Sequence, residues 1–214
     1  FFIMRKGDKH GCINRNGDEI LPFEFDVISR RYGMVQVRKD DKFALATEEF
    51  KLLTPIIYKG MVIFQNGLVF VSIDGEKYGT LNYKGEVVTP AIYENTHLYE
   101  NGYMVAKSDG NYGLIDPSGK VVCPFVYDTM GSIDLESGLI PVSKMFKYGY
   151  IDLTGEVVIP LKYRLAYDFI SGFAKVTDMT TGLMGVINPS GDIIIPMKYD
   201  NFYLYRECDY QYAE

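Results

Sequence analysis

The chain of 214 residues has no tryptophan, two histidines and three cysteines. His10 and His97 lie far apart, and Cys12, Cys123 and Cys208 form no Cys-x-x-Cys pair. A zinc site needs four nitrogen or sulfur ligands at close spacing, so no metal centre is expected. The cysteines read as small, semi-buried thiols. No apolar run approaches the roughly 18 residues of a membrane-spanning helix, so membrane insertion is not expected. No Gly-x-Gly-x-x-Gly or Walker pattern is present, which removes the usual phosphate cradles, and no cofactor is expected. Neither sign of charge forms a long run, and the net charge is −6. Nonspecific nucleic-acid binding depends on clustered Lys and Arg, so nucleic acid is not an expected partner. The opening Phe1-Phe2-Ile3-Met4 meets Arg5-Lys6-Gly7-Asp8 at once, unlike a signal peptide, and the sequence assigns no compartment.

What the chain has in quantity is 18 Tyr, 13 Phe and 21 Gly. Aromatic and β-branched residues suit pleated surfaces and Gly suits tight turns, so the composition leans all-β. The order of these residues is periodic. Gly11 to Pro22, Gly79 to Pro90, Gly113 to Pro124, Gly149 to Pro160 and Gly185 to Pro196 share one spacing, and a degenerate copy runs from Ala44 to Pro55. This predicts six tandem repeats of about 35 residues, near 10–38, 43–71, 78–107, 112–143, 148–177 and 184–212, plus an N-terminal strand at 1–6. With no linker or low-complexity tract, residues 1–214 read as a single domain.

Each copy reads as a three-stranded antiparallel meander. Strand a is Gly149 to Ile151 in the fourth full copy, and the turn Asp152-Leu153-Thr154-Gly155 follows, opened by Asx and closed by a left-handed Gly. Strand b, Val157-Val158-Ile159, is apolar throughout, which predicts a central strand covered on both faces and ended by Pro160. A Pro-x-x-Tyr connection leads to strand c, such as Gly172-Phe173-Ala174-Lys175-Val176, with one face buried and one wetter. The second copy has Ala44 and Phe50 in the glycine places, so its turn is expected to differ, with Glu48-Glu49 at a solvated tip. The chain opens on a leftover strand c, Phe1 to Arg5, and its last strand c, from Cys208, is poor. That pairing favours a β-propeller-like ring in which the front strand completes the last unit; an open superhelical stack is the alternative.

Tyr-Gly-x-Ile-Asp-x-x-Gly-x-Val-Val-x-Pro-x-x-Tyr followed by Gly-Phe-Ala-x-Val resembles the bacterial WG (or KWG) repeat across nearly the whole chain. The namesake Trp is replaced by His10, Phe43, Tyr78, Tyr112, Tyr148 and Met184. The resemblance implies a β-rich repeat protein with a binding role and supplies no catalytic residues.

The repeated Asn14, Asn82, Asp116, Asp152 and Asn188 offer one oxygen donor per copy, where calcium needs several converging; they read as turn formers. The recurring Tyr127, Tyr163 and Tyr199 read as packing between copies, with each hydroxyl reaching a backbone carbonyl. Function in repeat proteins sits where copies differ. The variable tips carry Tyr32, Tyr99, Met145, Phe146, Tyr203 and Tyr205, aromatic and Met side chains of the kind enriched at binding rims. The expected function is therefore that of a noncatalytic repeat module or scaffold binding a protein partner. Carbohydrate or cell-envelope binding by aromatic stacking is the alternative.

Overall fold

The computed structural model describes residues 1–204. The fold is all-β, built of repeated antiparallel sheets, and among the described residues there is no helix; none therefore is long and apolar enough to cross a membrane. The chain divides into two compact units, 1–106 with 117–119, and 107–116 with 120–214. The division falls within a strand, as the lack of linkers would require.

In the first unit β1 (Phe2–Lys6), β2 (Lys9–Ile13) and β3 (Glu19–Phe25) form one sheet, and β4 (Val27–Arg31), β5 (Met34–Lys39) and β6 (Lys42–Ala46) a second. They are followed by β7 (Gly60–Ile63), β8 (Leu68–Ser72), β9 (Tyr78–Asn82), β10 (Val87–Leu98) and β11 (Met104–Ser108) in consecutive order. In the second unit β12 (Asn111–Ile115) pairs with β13 (Val121–Tyr127). Two four-stranded sheets complete it: β14 (Thr129–Met130), β15 (Ile140–Lys144), β16 (Lys147–Ile151) and β17 (Val157–Tyr163), then β18 (Leu165–Ala166), β19 (Ala174–Thr177), β20 (Met184–Ile187) and β21 (Ile193–Tyr199). The sheets β1–β3, β14–β17 and β18–β21 thus run from a strand c through the strands a and b of the following copy, the last two with a short strand in front. The front strand β1 is accounted for in the same way, as the strand c beside β2, with Phe2 opposite Ile13 and Met4 opposite Gly11.

Strand b departs from expectation. As β3, β13, β17 and β21 it is an edge strand, whereas β10 lies between β9 and β11, and it continues through proline: β17 includes Pro160 and β3 includes Pro22. Proline is tolerated there because the N–H it lacks would point away from the ladder. Only the third residue and the closing aromatic of β17 are buried, Ile159 and Tyr163, while Val157 and Val158 face solvent. The pairing is bulged at this point, since Tyr148 lies opposite Tyr163 but Tyr150 opposite Ile159. The bulge explains the repeated glycine of strand a: a Cβ on Gly149 would lie 2.5 Å from the Ile159 carbonyl oxygen and 2.8 Å from the Leu161 nitrogen.

The second copy follows from the same reasoning. After β6 only isolated bridges remain, Ala46 to Leu52 and Phe43 to Tyr58, with no regular strand b. Without the bulged neighbour Ala44 can carry its methyl group. The turn, however, does not differ as expected. Phe50 N donates to Thr47 O and Thr47 N to Lys51 O, as Gly155 N does to Asp152 O and Asp152 N to Glu156 O. Phe50 takes the glycine's left-handed backbone at φ 66° and buries its ring against Cys12, Leu21 and Val35, and this burial offsets the conformational cost.

The Asx positions act as turn formers. Asp152 Oδ1 accepts from Thr154 N at 2.8 Å and Glu156 N at 3.1 Å, and Asn14 Oδ1 from Asn16 N and Asp18 N at 2.8 and 2.9 Å. Tyr127 and Tyr163 are buried as packing residues, but the Tyr163 hydroxyl has no hydrogen-bond partner among the described residues. Cys12 and Cys123 are free and fully buried, beyond the semi-burial expected, and burial pushes the Cys123 thiol up to about 11.

Candidate functional site

The hairpins joining strand c to strand a reverse direction in very few residues, so their tips are controlled by backbone conformation. A two-residue turn with both φ angles positive matches the twist of the strands and favours Asn, Asp and Gly. The β11–β12 tip meets that demand with Asp109 and Gly110 (φ 50° and 84°), and the β5–β6 tip with Asp40 and Asp41 (φ 51° and 58°). Between β15 and β16 the same conformation is imposed on Met145 and Phe146, at φ 50° and 63°. The left-handed region costs a residue with a Cβ roughly 1–2 kcal/mol. Their side chains recover nothing by burial: Met145 is 77% exposed and Phe146 90%.

The support beneath this tip is strong. Asp128 Oδ2 accepts from Met145 N at 2.7 Å, as Asp26 Oδ2 accepts from Asp40 N at 2.9 Å. Asp26 also accepts from Lys9 Nζ at 2.6 Å, which holds its carboxyl below the usual range. Both acids follow the aromatic that closes strand b, in the dipeptides Phe25-Asp26 and Tyr127-Asp128. An aromatic followed by Asp at the end of strand b is thus the local signal of a supported tip. Lys144 and Lys147, paired across the ladder, flank the Met-Phe tip with exposed positive charge.

The other expected site residues fall elsewhere. Tyr32 sits with Gly33 on the β4–β5 turn at φ 51°, half exposed, with the Arg31 guanidinium 5.8 Å from its ring centroid. It lines a pocket of about 420 Å³ with Arg31, Phe64, Gln65, Asn66 and Glu100. Tyr99, next to Glu100, is half-buried and meets His97 edge to face at 4.4 Å. Tyr32 and Tyr99 belong to the first unit, Met145, Phe146 and Tyr203 to the second. Tyr203 is exposed, and Lys175 Nζ lies 5.9 Å from its ring, 5.9 Å from that of Phe202 and 4.3 Å from that of Tyr167. Tyr205 lies outside the described residues. The Lys175 contacts were not legible, because strand position alone does not show which rings reach a lysine.

The second unit also has a groove of about 740 Å³, lined by Ser132, Asp134, Leu135, Glu136, Asp168 and Phe169 among others. Two of its carboxylates are engaged in holding the chain: Asp168 accepts from Ser132 N at 3.0 Å, and Asp134 from Ser137 N and Oγ at 2.9 and 2.6 Å. No group of three or more His, Cys, Asp or Glu placed to hold a metal occurs among the described residues.

Two longer tips carry a pH dependence. The Thr181 backbone N–H, together with the Thr181 hydroxyl and the Thr180 N–H, holds the Asp178 carboxyl below the usual range, and the Lys77 and Glu76 N–H groups do the same for Asp74. A depressed folded-state pKa gives stability that is fully present above the unfolded pKa of about 3.9 and is lost as pH falls through the lower folded value. The urea midpoint should therefore be flat above about pH 5 and fall below about pH 4. Asp178→Asn should make that acid limb shallower; an unchanged limb would show that these bonds do not contribute.

A sequence model of a family described as WG containing repeat matches residues 11–43, 78–112, 112–144, 148–177 and 184–210. No curated protein matches the chain. Among solved structures, Hsv2 of Kluyveromyces lactis is similar at 8% identity and a TM-score of 0.43, over 78% of this chain and 60% of that one. A eukaryotic initiation factor is similar at 9% identity and a TM-score of 0.46, over 89% and 61%. A streptogramin B lyase is similar at 16% identity and a TM-score of 0.34, over 88% and 76%. The chain thus spans about 60% of the length of the Hsv2 structure.

Proposed function

We propose, from the premise that the chain belongs to the WG containing repeat family, that it is a noncatalytic module binding a protein partner through the Met145-Phe146 tip. One observation carries this reading: two large apolar side chains, almost wholly exposed, stand where the backbone disfavours them and where the β5–β6 and β11–β12 tips use Asp and Gly. Neither local stability nor core packing accounts for that choice, whereas an apolar anchor for another protein does. The flanking Lys144 and Lys147 fit an apolar cleft with an acidic rim. The finer architecture belongs to the same reading. Six copies arranged as a ring are supported by the period of the sequence, the second copy having kept its turn while losing strand b.

The test immobilises the chain beside its Met145→Asn, Phe146→Gly variant and compares the proteins each retains. A protein held by the parent and lost by the variant supports the reading. Equal retention by both would overturn it. The aromatic-bearing pocket at Tyr32, with Asn66 and Glu100, favours carbohydrate as the second reading. A glycan array probed with the parent and with Tyr32→Ala tests that separately.

A further inference from the structure

The β4–β5 turn and the turn before β19 are built alike. Arg31 pairs with Met34 across Tyr32-Gly33, and Ile170 with Phe173 across Ser171-Gly172. The backbone is the same in both, with φ 51° and 75° in the first and 51° and 78° in the second. A small hydroxyl residue serves this position in the later copy. In the first copy a bulky aromatic takes it, although the left-handed region is least tolerant of bulky side chains. The Tyr32 ring stays 50% exposed, so burial offsets only part of that cost.

The pocket that Tyr32 lines, about 420 Å³, lies within the size range of small-molecule sites. Part of its wall is fixed by two turns tied to each other. Asn66 Nδ2 donates to the Glu100 carbonyl oxygen at 2.9 Å, and Asn66 Oδ1 accepts from Leu68 N at 3.1 Å. The Tyr83 hydroxyl donates to the Phe64 carbonyl oxygen beside them. These bonds set the wall before any ligand arrives, which lowers the cost of binding. Asn66 is thereby engaged, but other polar side chains of the pocket are not. Those of Arg31, Gln65 and Glu100 make no hydrogen bond or ion pair among the described residues, whereas the adjacent Arg30 is paired with Glu48 at 2.9 Å. The Arg31 guanidinium lies 5.8 Å from the Tyr32 ring centroid, a contact that leaves its N–H fork open. Arg31, Tyr32, Gln65 and Glu100 are all exposed, and all belong to the first unit.

We propose that this pocket binds a uronic-acid residue of an acidic oligosaccharide. The Tyr32 ring stacks on the C–H face of the pyranose, the Arg31 fork takes the carboxylate, and Gln65 and Glu100 hydrogen-bond the ring hydroxyls. A planar guanidinium matches a carboxylate bidentately, which a neutral sugar would leave unused. Phosphate is a poorer match, because Arg31 is the one cation lining the pocket and Glu100 opposes a second negative charge. The exposure of all four side chains suits one residue within an extended chain of sugars, not a metabolite closed off from water. The inference rests on the carbohydrate reading of this pocket and is independent of the Met145-Phe146 anchor, which belongs to the other unit.

The test probes the 214-residue chain against oligosaccharides of galacturonate, glucuronate, mannuronate and guluronate, each beside its carboxyl-reduced counterpart. An acidic oligosaccharide should be bound, and its reduced counterpart at least roughly tenfold more weakly. Tyr32→Asn suits the left-handed turn, so the fold should survive, as circular dichroism would verify, while binding of both forms is lost. Arg31→Gln should bring the acidic form down to the level of the reduced one and leave the reduced one unchanged. Arg30→Gln removes an equal charge from the neighbouring position and should change neither. Equal binding of acidic and reduced forms by the parent would overturn the uronate assignment and leave the carbohydrate reading standing. Equal losses in Arg30→Gln and Arg31→Gln would overturn it too, since the effect would then be one of general charge. Binding of no oligosaccharide at all would overturn both.

Discussion

Gly155→Val is expected to lower the melting temperature by about 10 °C, while Gly17→Val, at the same place in an equivalent turn, should lower it by about half as much. The two glycines share their backbone conformation, with φ 87° and 90°, so the left-handed cost to a residue with a Cβ is common to both, roughly 1–2 kcal/mol and more for a β-branched one. Their surroundings differ. At Gly17 nothing lies within 4 Å of an added Cβ. At Gly155 it would meet the Val122 carbonyl oxygen at 2.6 Å and the Cys123 Cα at 3.0 Å. Those atoms are backbone of the preceding strand b and cannot swing aside. Overpacking of this kind adds about 1–3 kcal/mol, for a total of roughly 2–5 kcal/mol. In a chain of this size each kcal/mol is worth about 2–4 °C. Thermal unfolding followed by far-UV circular dichroism decides the matter. Equal losses at the two positions would mean that the conformation, and not the seating of the turn on its neighbour, sets the requirement for glycine.

Met145→Asn with Phe146→Gly is expected to act in the opposite direction on stability while abolishing partner retention. Asn-Gly is the residue pair that a two-residue turn with both φ angles positive prefers. The substitution relieves two disfavoured conformations and loses almost no buried surface, since both native side chains point into solvent. Glycine returns part of the gain through its larger unfolded-state entropy, leaving a net stabilisation of about 1–2 kcal/mol, or about 3–6 °C. The hydrogen bond from residue 145 N to Asp128 is a backbone bond and survives the change. A variant that is more stable and yet silent separates the needs of the fold from those of binding, a combination common where function holds residues against local preference. Destabilisation by the double substitution would mean that Met145 and Phe146 belong to the fold's own packing and are not a binding anchor.

Which parts of this were legible follows from the range of the interactions. The turns were, because Asp152, its two following residues and Gly155 close their hydrogen bonds within five positions, and a local interaction leaves a local pattern. Strand c was legible for a similar reason: Val35 and Val37 alternate with Gln36 and Arg38, and the alternation marks one buried face. Strand b was misread because an unbroken apolar run such as Val157-Val158-Ile159 is equally consistent with a covered central strand and with an edge strand that buries one residue in three. Pro160 pointed toward the edge, but its tolerance depends on which side of the ladder its nitrogen faces. Among the candidate tip residues, Met145, Phe146 and Tyr203 are exposed and Tyr99 is half-buried, a difference set by tertiary neighbours that residue type does not reveal.

The sequence by itself determined that the chain is all-β, that it repeats, and that it carries the WG pattern, since each of these rests on hydrogen bonds and side-chain alternation between near neighbours. The tertiary structure decided what depends on contact across sheets. It showed that the repeat boundary seen in the sequence falls inside each sheet, and that glycine is needed in strand a wherever a bulged strand b crowds it. The reason is physical: apolar burial has no direction and no fixed sequence separation, so an exposed isoleucine and a buried one read alike until the neighbouring sheet is in place.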